Sequence, residues 1–274
     1  MIHTCHTSSK WLAATRLALL GTACLLSFWA HASDLSTRSG HSLGLDLSAY
    51  SYDEPGVMTL KAKQLGVDYT LTHALGGTWP RSNEGWFVRG ELRVASGKAD
   101  YRSPISGGID GTGNVHVELR GLVGRDFDRG SYVLAPYVGL GLRQLRNDLR
   151  GMSSSGNMGY RRTSEYTSLP VGLTHRMKLQ DQSLLETTVE YMHLIRGQQT
   201  AALSDASALR TDLSLKQRHG HGLRLNMMNR HNNWSWGPTL TYWNISASDP
   251  GGVPAYIEPK NKTYELGLKA AYHF

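Results

Sequence analysis

The sequence predicts an all-β chain: a transmembrane antiparallel up-and-down β-barrel of ten strands, preceded by a cleaved signal peptide. Three observations predict it. Apolar residues alternate with period 2, and no long stripe of period 3.6 follows residue 33. The connections between alternating segments are short and long in turn. Aromatic residues gather at the segment ends. Composition agrees, because 30 Gly, 13 Tyr and 7 Trp against 4 Phe suit many turns and amphipathic aromatics. A mean hydropathy of −0.36 excludes a bundle of transmembrane helices.

Residues 1–32 read as a secretory signal. Lys10 and Arg16 make the positive region, and Leu17–Trp29 is an apolar run too short to span a bilayer. Ala30-His31-Ala32 offers a small-x-small cleavage site, which would start the mature chain, 33–274, at Ser33. Gly21 stands where a lipoprotein signal needs an aliphatic residue before Cys24, so lipidation is not expected. Both cysteines, Cys5 and Cys24, leave with the signal, so the exported chain must hold itself without disulfides. Losing Lys10 and Arg16 lowers the formal net charge from +7 to +5, and no Lys/Arg run occurs. Nucleic acid is therefore not an expected partner. Ser33–Gly40 is expected to be disordered.

Ten alternating segments follow, at 42–53, 62–75, 85–98, 113–125, 131–147, 160–178, 183–197, 214–229, 233–247 and 260–274. Each supplies the 9–11 residues, roughly, that a tilted membrane strand needs. The third puts Trp86, Val88, Gly90, Leu92 and Val94 on one face, and Phe87, Arg89, Glu91 and Arg93 on the other. In the fourth, Val115, Val117, Leu119 and Val123 alternate with His116, Glu118, Arg120 and Leu122. In the last, Tyr264, Leu266, Leu268, Ala270, Tyr272 and Phe274 oppose Glu265, Gly267, Lys269, Ala271 and His273. Leu92, Val117, Leu119, Leu140, Leu173 and Leu225 are expected to face lipid.

Arg125–Gly130, Lys178–Gln182 and Arg230–Asn232 read as turns, with Leu75–Glu84 a longer member of that set. Gly97–Thr112, Asp148–Gly159, Gln198–Leu213 and Ser248–Pro259 read as long polar loops, and Asp53–Gly56 as a short one. Turns on one side and loops on the other return both termini of an even-stranded barrel to the same compartment. The aromatics fit this topology. Trp86, Tyr132, Trp234, Trp236, Tyr272 and Phe274 fall at the turn side of the outward phase, and Tyr191, Tyr242 and Tyr264 near the loop side. Two interfacial girdles are the expectation.

A signal ending Ala30-His31-Ala32 and a terminal Tyr272-His273-Phe274 resemble those of bacterial outer-membrane β-barrel proteins of the small, porin-like or opacity type. The resemblance spans the mature chain. It implies the bacterial outer membrane, reached through the periplasm, with membrane lipid and lipopolysaccharide as partners. It also implies that Phe274 belongs to the signal read by the barrel-assembly machinery. A monomer is expected.

The polar phase carries Arg89, Glu91, Arg93, Glu118, Arg120, Arg143, Glu186, Glu190, Arg224, Glu265 and Lys269. A ten-strand lumen is narrow, so these mixed charges are expected to pair across it and plug it. The alternative is a narrow polar conduit for small solutes. Gly139, Gly141, Gly172, Gly220 and Gly222 share that phase and leave room for long side chains. Pro170 removes a ladder donor and predicts a bulge or interruption in the sixth strand.

Catalytic patterns are absent from the sequence. Omptin-type proteases need Asp pairs and an Asp-His pair at the outer rim. Here the D-x-D, Asp126-Phe127-Asp128, lies in a turn-side connection. Outer-membrane lipid hydrolases need a Ser close after a His, whereas His41 and Ser42 are adjacent. No enzyme activity, cofactor or metal is expected. His219-Gly220-His221 offers two imidazoles on the outward phase without a third ligand. Tyr160-Arg161-Arg162 is a candidate contact for lipopolysaccharide phosphates. Three functions compete: a structural or porin-like barrel, a surface adhesin or receptor acting through its loops, and a rim enzyme.

Overall fold

The computed structural model describes residues 35–76 and 85–274, so the signal region and the connection 77–84 lie outside the described residues. Ten antiparallel strands close into one barrel. They are β1 (Gly40–Glu54), β2 (Met58–Gly76), β3 (Trp86–Ser103), β4 (Gly107–Arg125), β5 (Tyr132–Met152) and β6 (Met158–Lys178). The remainder are β7 (Leu184–Ala201), β8 in two pieces (Leu213–Gln217 and Gly220–His231), β9 (Trp234–Ile245) and β10 (Asn261–His273). Each strand pairs with the next, and β10 pairs with β1 to close the wall. A two-residue ladder, Phe127–Asp128, adds to the foot of β5. Every expected segment overlaps one strand.

The wall is inside-out relative to a soluble protein. On β1, Leu43, Leu45 and Leu47 are exposed, while Ser42, Asp46 and Ser48 are buried. The residues expected to face lipid do so, Leu119 being 50% exposed beside buried Glu118 and Arg120. An apolar exterior around a polar interior is stable only where the surrounding medium is hydrocarbon.

Three expectations need correction. The supposed loops at 97–112 and 148–159 are largely strand, while the third, 198–213, stays a connection from 202 to 212. β3 runs to Ser103, β4 starts at Gly107, β5 and β6 nearly meet at Met152 and Met158, and β7 runs to Ala201. Their Gly, Ser, Asn and Asp residues are poor strand formers alone, but continuous pairing with the neighbouring strand overrides that preference. The strands therefore outrun the membrane and form a β-rich crown, with a 3-10 turn at Leu203–Asp205 and a Gly251–Tyr256 bridge in the last connection. Second, the segment before β1 is ordered from Leu35, which is buried. The Thr37 amide and hydroxyl donate to the Asp126 carboxylate, and Arg176 on β6 donates to the same group at 3.1 Å. Third, β8 is broken at Arg218–His219, where the ladder with β7 lapses between Gly197↔Gln217 and His193↔His221. Pro170 behaves as expected: the β5–β6 ladder skips between Val138↔Val171 and Gly141↔Ser168, opposite the missing donor.

Both girdles form. At the turn end Trp234 meets Tyr272 edge-on, with ring centroids 5.1 Å apart, and Tyr272 meets Phe274 likewise. Near the loop end, Tyr191, His221, Tyr242 and Tyr264 make one run of rings across four strands. Trp86 and Trp236 are exposed on the same outward phase, and Tyr132 packs on His175.

Candidate functional site

The lumen is the candidate site, and it has two unlike halves. The half toward the turn end is a vestibule of about 700 Å³. It is lined by Arg89, Glu91, Arg93, Glu118, Arg120, Glu186, Arg224, Glu265 and Lys269, and its mouth by residues 36–39 and Asn232. The expected charges do pair. Arg224 donates twice to Glu118, at 2.7 and 2.8 Å, and lies 3.6 Å from Glu190. Arg120 bridges Glu91, at 2.8 Å, and Glu190, whose carboxylate also accepts the Tyr137 hydroxyl at 2.7 Å. Arg93 joins Glu265 to Asp46. Arg89 stands off at 4.0 Å from Glu91, holds Thr72 at 3.3 Å and lies over the Phe87 ring. Paired guanidinium forks of this kind are among the stronger side-chain bonds.

Three partners were not among the expected charges: Asp46, Asp68 and Arg176. Lys269 binds Asp68, and Glu186 binds Arg176 at 2.7 Å. Asp46 and Asp68 each lie across a glycine on the neighbouring strand, Gly66 and Gly44. A Cβ at either glycine would overlap the carboxylate. That cross-strand Asp–Gly reciprocity was the available signal.

Arg143 corrects the expectation that every inward charge pairs with an opposite one. Its Nε donates to His116 Nε2 at 3.2 Å, while its two terminal nitrogens make no hydrogen bond. The guanidinium instead lies 5.5 Å from the Trp243 ring centroid and 5.9 Å from that of Tyr166. These two rings stack on each other, 6.3 Å apart and 18° from parallel. A cation on two aromatic faces is held by their negative π density.

That trio belongs to the second half. Tyr166 and Trp243 pack with Leu145, Met192, Leu194 and Ile245 into a buried apolar layer beyond the vestibule. Gly222 on β8 makes this possible, since a Cβ there would strike the Trp243 ring at 2.8 Å. Tyr50, Tyr52, Met58, Leu60 and Leu149 continue the packing toward the crown. The plug is thus ionic on one side and aromatic-apolar on the other, where only an ionic one was expected. At its top, buried Arg162 binds two carboxylates, Glu54 and Glu258, and Tyr52 donates to Glu54 at 2.7 Å. Burial, with Glu54 adding and Arg162 opposing, pushes the Glu258 carboxyl up to about 7.

The remaining candidates fall away from chemistry. Arg162 of the Tyr160-Arg161-Arg162 motif points inward, while Arg161 stays exposed and is clamped to Asp205 at 2.8 Å. That bidentate clamp holds the Asp205 carboxyl at about 2. His221 is wedged between Tyr191 and Tyr242 on the outer wall. Among the described residues no group of three metal-ligating side chains occurs. Asp126 of the D-x-D holds Arg176 and Thr37 together.

No family model matches the sequence, and no curated protein matches it. Among solved structures the chain is similar to the β domain of the Bordetella autotransporter BrkA, with 13% identity, TM-score 0.41, and coverage of 85% of this chain and 99% of that one. It is similar to the translocator domain of autotransporter NalP from Neisseria meningitidis, with 10% identity, TM-score 0.40 and coverage of 88% and 90%. It is also similar to Ail, the attachment invasion locus protein of Yersinia pestis, with 12% identity, TM-score 0.32 and coverage of 86% and 100%. The closed, inside-out wall, with aromatics gathered at both ends of its outer face, is the architecture of a membrane-spanning β-barrel.

Proposed function

We propose that this chain is a non-conducting outer-membrane barrel, a rigid stem that carries its crown on the cell surface. The observation that supports this reading is the layer of Tyr166, Trp243, Leu145, Met192, Leu194 and Ile245 across the lumen. None of these residues lines the vestibule, which stops at Tyr137, Arg120 and Glu118. A hydrated ion meeting that layer would exchange water for apolar side chains. Exposed Ile105, Met152, Leu209 and Val253 on the crown favour surface interaction as the work of this stem. Among the described residues no group favours catalysis, and we propose that the chain is not an enzyme.

Planar-bilayer recording tests the reading. Purified protein should give no conductance steps. Arg120→Ala with Arg224→Ala enlarges the vestibule alone and should stay silent. Tyr166→Ala with Trp243→Ala removes the layer and should open a small conductance. Steady porin-like steps from the unaltered protein would refute a closed stem.

A further inference from the structure

Several cations lie on the outside of the barrel beyond the loop-side aromatics. Arg102, Arg150, Arg161 and Arg218 each grip an acid, Asp110, Asp148, Asp205 and Asp249. Lys61, Lys63 and Lys98 do not. All three are exposed on the outer face of β2 and β3, and none has an ion pair or hydrogen bond among the described residues. Lys63 and Lys98 stand directly opposite one another in the β2–β3 register. Their Cβ atoms are then about 5 Å apart, a placement in which like charges destabilise a sheet. The neighbouring acid, Asp100 opposite Lys61, accepts the Gly111 amide at 3.0 Å. Flanking outward positions are small: Ala49 and Ser51 on β1, and Gly113 on β4. Three ammonium groups therefore overhang a shallow floor. Toward the membrane β2 turns apolar at once, with Leu65 and Val67 exposed, and β3 does so after Ser96, with Val94 and Leu92 exposed. Lys63 is two residues from Leu65, about 7 Å along the strand.

We propose that Lys61, Lys63 and Lys98 form a site for the phosphate groups of an outer-leaflet lipid whose acyl chains lie along Leu65, Val67 and Val94. A phosphate between Lys63 and Lys98 turns a repulsive pair into a bridged one, through charge-assisted contacts that suit lysine as a point charge. A lipid fits better than a free anion because the apolar column starts where the cations stop. The inference needs the barrel to be embedded but holds whether or not the lumen conducts.

The test uses the whole protein in phosphatidylcholine nanodiscs, with and without diphosphoryl lipid A, and native mass spectrometry of what it retains on transfer to nonionic detergent. Lys63→Gln with Lys98→Gln should retain several-fold less lipid A than the unaltered protein. Lys216→Gln, an exposed lysine of β8, should retain as much. In lipid-free detergent the double variant should melt no lower than the unaltered protein, since the repulsion is gone. In lipid A nanodiscs it should melt lower. Equal retention by both proteins overturns the site. Release of the lipid by inorganic phosphate, at an ionic strength where sodium chloride leaves it bound, overturns the lipid assignment in favour of a free anion.

Discussion

Raising the pH should loosen the connection between β9 and β10 from the crown, and Glu258 sets the window. Its carboxyl enters the barrel top beside Arg162 and Glu54, with Tyr52 bonded to Glu54. In the closed connection it titrates at about 7, against an ordinary value of 4.5 when the connection lifts into solvent. The closed form binds the proton more tightly. Closure is therefore strongest below 4.5, weakens as the pH climbs from 4.5 to about 7, and changes little above. That gap corresponds to about 3 kcal/mol, or about two orders of magnitude in the closing equilibrium. The assay is hydrogen-exchange protection of the Ser248 and Glu258 amides, corrected for the intrinsic pH dependence of exchange. These amides donate to the Glu258 carbonyl at 3.0 Å and to the Ser248 hydroxyl at 2.8 Å. Glu258→Gln should hold protection level across the window, because its amide has no proton to lose. Flat protection in the unaltered protein, or a parallel fall in the Gln variant, would refute the reasoning.

Leu119→Arg puts a cation on the lipid face of β4 and should cost about 2–4 kcal/mol in urea unfolding from vesicles. Normal stability of that variant would mean that the outward phase is assigned to the wrong residues. Deleting Phe274 removes a hydrogen bond from its amide N–H to the His41 carbonyl at 2.8 Å and a ring contact with Tyr272, at the seam where β10 meets β1. Less heat-modifiable, folded barrel should then appear in outer-membrane fractions, and an unchanged yield at both low and high expression would count against that role.

Strand number, wall phase and girdles were legible because each follows from a period-2 pattern read against hydrocarbon. Leu119 beside Glu118 admits one orientation in a membrane. The aromatic layer was not legible by the same rule. Tyr166 and Trp243 sit on the inward phase, where the rule expects polar groups. Toward the crown the strands leave the lipid, water lies outside, and the inward face becomes an ordinary apolar core. Lys61 and Leu60 show the switch: the charged neighbour is exposed and the apolar one is buried, the reverse of Glu118 and Leu119. Arg143 sits at this changeover, which explains why its partners are rings. Glu258 was out of reach for a different reason, since nothing local in a polar connection says that one carboxylate folds back to Arg162, 96 residues away.

The Asp126 clasp also carries a timetable. Its carboxylate gathers Thr37, 89 residues earlier, and Arg176, 50 residues later. If strands join in chain order, Arg176 reaches its place only when β6 docks, after five staves are already in the wall. Until then the carboxylate that holds Thr37 lacks its cation. Completing that clasp would mark the passage of the growing sheet beyond its midpoint, and a chain stalled before β6 would hold its leading end through Thr37 to a carboxylate with no cation beside it.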